Sequence, residues 1–423
     1  MGTANHLRVE LVASPPCESF RPIILNAKDE YQAPFFAIRH SRIAPITAFI
    51  LAAAIVGFAT NLSMHLLNLR MQAIGVSNFG IGLSVAIQAL GILVSAPLTK
   101  HIIALCGIRR ALLSGALLSS AALVTFMFLT DPVSWNVMRF VFGAGLALLF
   151  TTSESLVISR ADGTNRGRIV GWYATALASG TAAGPVLVTM VGIQGAMPLL
   201  WGALSFWVAT APIIAFLKRG EELAPVVRSS TFTTLRFAPI AFLSAFMFGV
   251  ADNGGMAMLS VYSVLSGYDY LNAASLAAFA TIGAILLQIP MGYSANTRDP
   301  RDVLLFCGLS SIFLLALLPN IIGVKPIAFG VVFGLGGVLE GLYTVGLICI
   351  AKYYRGLGIS SANGCFVSMC GLGELMGPLV TGASMEYFGS QGFVLGLTMT
   401  LAVYIVLIIA GTRTAQIRPA MSC

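Results

Sequence analysis

Apolar residues fill the chain in blocks about twenty long, and polar, glycine or proline positions fall between them. The blocks lie near 46–67, 79–99, 111–130, 133–158, 168–191 and 196–217, then near 237–265, 271–295, 303–323, 326–351, 360–385 and 391–412. A helix of about 20 residues crosses a hydrocarbon layer of about 30 Å and keeps its backbone groups bonded there. The pattern therefore predicts an all-α integral membrane fold with 12 transmembrane helices. The one long polar break inside this region is KRGEELAPVVRSSTFTTLR, residues 218–236. It divides six spans from six. The expected organisation is a tail over 1–44, a six-helix half over 45–217, the connection 218–236, a second six-helix half over 237–413 and a tail over 414–423.

Charge orients this frame. An even number of crossings puts both tails on one side. Lys and Arg number 21 on the side of the tails and of 218–236, against only Arg70 and Lys325 on the other, while Arg139 lies inside a span. Positive residues are retained in the cytoplasm, so both termini and the central connection are expected there. Composition agrees with a lipid environment: 57% of the 423 residues are hydrophobic and 9% are charged, against about 25% charged in soluble proteins. The net charge of +8 then reflects cytoplasmic loops and gives no reason to expect a nucleic-acid partner. The seven cysteines show no CxxC pair and no metal-ligand spacing, so they read as free thiols with no metal and no cofactor. Residues 1–44 are too polar and too interrupted by proline for the apolar core of a signal peptide.

The two halves echo each other. GFATNLSMHLL at 57–67 shares Gly, Ala, Asn, Met and Leu with GVADNGGMAMLSVY at 249–262, at an offset of 192. Gly171, Gly180, Gly184 and Pro185 recur as Gly364, Gly373, Gly377 and Pro378, and Pro97 recurs as Pro290, all at an offset of 193. These agreements predict parallel structural repeats, an arrangement that places a binding site between paired halves in transporters. Glycines four apart strip one helical stripe of side chains, so another helix can approach closely.

Over residues 45–413 the chain resembles the major facilitator superfamily. The run from Gly171 through Gly180 to Gly184-Pro185 is similar to the fifth-span motif of proton-coupled efflux members, with Val188 and Thr189 where a glycine pair is usual. Arg139, followed by Gly143 and Gly145, resembles the fourth-span motif whose arginine is linked to proton coupling. The loop between spans two and three, APLTKHIIALCGIRR, keeps Gly107, Arg109 and Arg110 of the family pattern but lacks its Asp, and the second-half copy has Asn296 there. The Gln288-Ile-Pro-x-Gly292, Glu154-Ser155 and Arg166-Gly-Arg168 segments look like the YcaD-like branch. The resemblance implies a multi-pass transporter of a bacterial inner membrane that works by alternating access, with spans one, four, seven and ten lining its cavity.

An ionisable group inside a span costs at least about 2.5 kcal/mol, so each is a functional candidate. At 1.5 Å per residue, Asp252 lies about 22 Å along its span, Glu374 about 21 Å and Glu340 about 20 Å. Together with Arg139 and the twin amides Asn61 and Asn253 they form the expected proton-coupling and cargo cavity. A desolvated carboxylate favours its protonated form until a cation approaches. The alternative for each acid is a fixed hydrogen bond between helices. Glu374 sits in the glycine-proline segment, where the two halves are expected to meet. Glu154, nearer the cytoplasmic mouth, is expected to latch a gate by pairing with Arg109, Arg110, Lys352 or Arg355. His65, one turn after Asn61, is a lesser candidate for carrying a proton. No nucleophile elbow, metal cluster or phosphate loop points to an enzyme. The expectation is a monomeric secondary transporter of a small organic molecule, coupled to protons and exporting its cargo. Proton-driven or facilitative uptake, or a receptor that uses the 44-residue tail to bind partners, are the competing readings.

Overall fold

The computed structural model describes residues 44–129, 131–160, 166–217, 238–353 and 357–415. The expectations for the tails and for 218–236 therefore lie outside the described residues. Every apolar block becomes a helix. The first half comprises α1 Ala44–Ala73, α2 Asn78–Cys106, α3 Ile108–Thr125, α4 Pro132–Arg160, α5 Arg166–Val191 and α6 Met197–Phe216. The second comprises α7 Pro239–Leu265, α8 Tyr270–Thr297, α9 Pro300–Ile321, α10 Lys325–Tyr353, α11 Leu357–Phe388 and α12 Gln391–Ala415. Among the described residues, 11 of these are long and apolar enough to cross a membrane, and α5 contributes the shorter apolar stretch Thr175–Val191. Large apolar side chains such as Met190, Ile289 and Met399 are exposed on the outside of the bundle, as a lipid-facing surface requires.

Short polar connections stop and restart the helices. Ser77 accepts a hydrogen bond from the Gly80 N–H at the start of α2, and Asp299 accepts one from the Arg301 N–H at the start of α9, each satisfying an orphan donor. Gly107 alone joins α2 to α3, with φ at 83°, a left-handed conformation that a side chain would strain.

The sequence echo is also an echo of contacts. A methyl group at Gly180 of α5 would collide with the Ala54 carbonyl of α1, and one at Gly373 of α11 would collide with the Phe246 carbonyl of α7. Ala54 and Phe246 are themselves 192 apart. The same correspondence holds for Gly57 against Leu177 and Gly249 against Cys370, and for Gly91 against Phe140 and Gly283 against Phe333. Each half thus builds the same backbone-to-backbone crossings from equivalent glycines. Gly184 and Gly377 complete the set, against Leu62 and Val250. Gly364 does not share this role, because no atom of another described helix lies within 4 Å of where its side chain would begin. The surroundings of its twin, Gly171, lie outside the described side chains.

Three helix pairs join the halves: α2 with α11, α5 with α8 and, less extensively, α1 with α7. The Pro378 carbonyl packs on Gly82 of α2, and Gly382 packs on Asn78 and Gly82. One face of the α11 glycine-proline segment therefore meets the other half, while its Gly373/Gly377 face packs on α7 within its own half. At the end of the bundle opposite Ala44 and Ala415, here the distal end, Asn78 Nδ2 donates to the Met385 carbonyl at 3.3 Å and the Phe79 N–H to Glu386 Oε2 at 3.2 Å.

Candidate functional site

Asp252 stands where α7 changes its winding. Pro239–Ala251 is α-helical, Asp252–Met256 forms one π turn, and Ala257–Leu265 is α-helical again. The Ala257 N–H accordingly bonds back to the Asp252 carbonyl, five residues earlier. Two consecutive glycines, Gly254 and Gly255, permit the wider turn, and Gly254 lies against the backbone of Gly377 on α11. The equivalent segment of α1, Thr60-Asn61-Leu62-Ser63, is regular α-helix. Thr60 there bonds to the Val56 carbonyl at 2.8 Å. Single π turns within α-helices recur at functional sites, and this one distinguishes the two repeats at the depth of the acid.

Three acids gather on the wall formed by α7, α10 and α11. Asp252 feels the charge of Glu374, and Glu340 feels the charge of Asp252. Glu374 Oε1 accepts from Cys370 Sγ, one turn earlier, at 3.5 Å. Tyr343 lies one turn beyond Glu340, in reach of the charges of Glu340, Glu374 and Glu154. Its ring is flanked by Phe248 at 5.0 Å and Phe366 at 5.3 Å. Among the described residues, no hydrogen bond or ion pair ties down the carboxylates of Asp252 and Glu340. Their repeat twins in the first half are neutral: Thr60 for Asp252, Ala147 for Glu340 and Thr181 for Glu374. The negative wall is therefore a property of the second half alone.

Arg139 stands apart from that wall, contrary to the expectation that it faces the cavity. It is 0% exposed. Nη1 donates to Gln88 Oε1 and Nη2 to Asn68 Oδ1, both at 2.6 Å. Asn68 Nδ2 in turn donates to the Ala257 carbonyl of α7 at 2.9 Å. His65, one turn before Asn68, shares a 3.0 Å hydrogen bond with Ser260 across the halves through Nδ1. It belongs to this distal seam and not to the acid wall. Asn253, expected in the cavity, donates to the Glu374 carbonyl at 3.4 Å and ties α7 to α11. Asn61 is half-buried, with its backbone against Gly184.

The expected latch around Glu154 is not formed among the described residues. Glu154 is exposed, as are Arg109 and Arg110 at the start of α3. Lys352 Nζ donates instead to the Ala295 carbonyl of α8 at 2.8 Å. Arg355 lies outside the described residues. Glu154 instead exerts its charge on Tyr173 of its own half and Tyr343 of the other. Tyr343 is thus the group on which the charges of both halves act.

Asn68, Gln88, Ser260, Tyr343 and Cys370 add polar groups to the interior, and none of them carries the charge that makes a residue conspicuous within an apolar span. The available signal was an uncharged amide or hydroxyl within an apolar helix, one turn from another polar group. Such spacing puts both on one face, but it does not tell which helix they meet.

The family model of the Major Facilitator Superfamily matches residues 49–319. The uncharacterized MFS-type transporter YfkF of Bacillus subtilis (strain 168) is 23% identical over 369 residues, spanning 84% of this chain and 92% of that protein. The uncharacterized MFS-type transporter YcaD of Escherichia fergusonii is 21% identical, spanning 76% of this chain and 84% of its own length. Among solved structures, the nucleoside transporter NupG superposes with a TM-score of 0.69 at 14% identity, covering 88% of this chain and 100% of that one. A bacterial homolog of the human lysosomal transporter Spinster gives 0.67 at 13% identity, over 90% of this chain and 100% of that one. These two likenesses concern the fold. With its duplicated helices, glycine crossings and polar interior, this chain belongs to the Major Facilitator Superfamily, in the group of YfkF and YcaD, and is a membrane transporter and not an enzyme.

Proposed function

We propose that this protein is a secondary transporter that moves a small organic cation by alternating access and exports it in exchange for protons. The observation that carries this reading is the one-sided charge of the interior. Asp252, Glu340 and Glu374 stand on the second half, and Glu154 acts on the same tyrosine from the first. The guanidinium of Arg139 is held away from them by Asn68 and Gln88. An ionised carboxylate at membrane depth costs at least about 2.5 kcal/mol. A proton or a cation can neutralise it, and the two compete for the same oxygens. Rocking of the halves is then favoured with one or the other aboard, which yields exchange in place of leak. The face of Tyr343 offers a further attraction to a cation.

Export rests on the α5 pattern of Gly180, Gly184 and Pro185. Val188 and Thr189, where efflux members carry glycines, make proton-driven uptake the competing direction. The sign of flux separates the two. The test uses purified protein with permanently charged quaternary amines of graded size and carboxylates of matched size. The amines are expected to raise the unfolding temperature, and a concentration of 100 times Kd corresponds to about 2.7 kcal/mol of stabilisation. In liposomes, amine flux should reverse when the imposed pH gradient is reversed. Stabilisation by carboxylates alone would exclude a cationic cargo, and amine flux indifferent to the gradient would exclude proton exchange.

The charge bias adds a topological expectation. Reporters that work only in the cytoplasm, inserted in 218–236 and fused after residue 418, should both be active. Silence at both sites, with activity of a reporter placed in the α1–α2 connection, would invert the orientation.

A further inference from the structure

The two hydrogen bonds that join α1 to α7 are one contact written twice. His65 bonds Ser260 and Asn68 bonds the Ala257 carbonyl. At the repeat offset of 192, His65 is the twin of Ala257 and Asn68 is the twin of Ser260. Residue i meeting the twin of j, while j meets the twin of i, is the signature of a two-fold interface. This seam therefore straddles the axis that relates the halves, near the distal ends of α1 and α7. His65, Asn68, Ala257 and Ser260 are all buried to 2% exposure or less.

Arg139 closes the seam from behind. A guanidinium has only donors, so it must face the oxygen of the Asn68 amide. The amide nitrogen is then turned toward α7, where it finds the Ala257 carbonyl. The arrangement is costly as mere packing. Arg139 is fully buried, its Nε has no hydrogen-bond partner, and among the described residues it has no carboxylate beside it. A buried charge held this way is destabilising compared with an apolar residue of similar volume. Its equivalent in the second half, 193 residues on, is the buried Val332.

We propose that Arg139 is a positioning residue of the distal seal: by fixing the Asn68 amide it holds α1 against α7, and so sets the balance between the two open forms of the transporter. The proposal requires that the halves separate at this end during the cycle. It requires neither a cationic cargo nor proton exchange, so its failure is distinct from theirs.

The experiment places genetically encoded spin labels at Ala73 and Leu265, exposed sites at the distal ends of α1 and α7, and measures their distance distribution in liposomes without cargo. Arg139→Met keeps the volume but frees the amide to turn. It should enlarge the long-distance population relative to the short by about three- to ten-fold, the range one hydrogen bond is worth. Asn68→Asp is the decisive variant, because it retains an acceptor for Arg139 yet has no donor for Ala257. It should open the seam in the same direction. Arg139→Lys can still donate to the amide oxygen and should restore most of the short-distance population. Ser260→Ala removes the twin bond, leaves no charge unpaired and should give a smaller shift of the same sign. It keeps the seam testable if a charged variant fails to fold. Wild-type distributions in both Asn68→Asp and Ser260→Ala would overturn the proposal, as would a shift in Arg139→Met that Arg139→Lys shares in full.

Discussion

Asp252→Asn is expected to uncouple transport from the pH gradient, lowering gradient-driven flux by about 10- to 100-fold, the usual range of a coupling free energy between two sites. The asparagine keeps the shape of the side chain at the π turn but cannot exchange a proton, and it needs no cation to neutralise it. The halves can then rock without either partner, so cargo-for-cargo exchange should persist while accumulation against a gradient fails. Glu340→Gln should act in the same sense, because Glu340 feels the charge of Asp252 across the α7–α10 wall. Two acids that share one ligand act as a unit, and the double variant should be no worse than the more damaging single one. Gln and Asn also preserve volume at helices packed backbone to backbone, so the purified variants should elute and melt like wild type. Flux measured in liposomes with imposed gradients checks this. Wild-type gradient dependence in Asp252→Asn, Glu340→Gln and the double variant together would remove these carboxylates from coupling and leave facilitated diffusion as the better account.

Gly180→Val should be the most destabilising single substitution along the α5 stripe. The first added carbon would collide with the Ala54 carbonyl, and backbone cannot step aside as a flexible side chain can. Overpacking of this kind costs about 3 kcal/mol, enough to lower the melting temperature in detergent and the yield of folded protein. Gly373→Val, its equivalent against Phe246, should behave alike. Gly364→Ala provides the contrast, since it belongs to the same sequence motif yet has open space around it. Alanine there should be neutral or stabilising by up to about 1 kcal/mol, because it raises helix propensity. Equal losses at Gly180 and Gly364 would mean that the glycines serve flexibility, and not the crossing of α1 with α5.

The parts of this protein that were legible in sequence are those dictated by lipid and by duplication. Hydrocarbon leaves backbone groups no partner outside a helix, so the spacing of apolar blocks located all twelve helices, although Gly254-Gly255 widened α7 locally in a way apolar length does not encode. The equal offsets of Gly180/Gly373 and Gly184/Gly377 announced two copies of one packing, since a close crossing requires a missing side chain at a fixed register. The acids were equally visible, because a charge in a membrane span stands out against its neighbours. Their destinations were not. Whether Arg139 met a carboxylate or two amides depended on the rotation of α1, α2 and α4 about one another, which long-range packing sets and helical periodicity alone does not. Asn68 and Ser260 became partners in one seam only because the two-fold relation of the halves brought their helices together across 192 residues of chain. Sequence thus determined the helices and their repeat, because these follow from local chemistry and the solvent. Tertiary structure decided which polar groups meet from different helices and which share a seam, because a helix face is assigned a neighbour only when the helices pack.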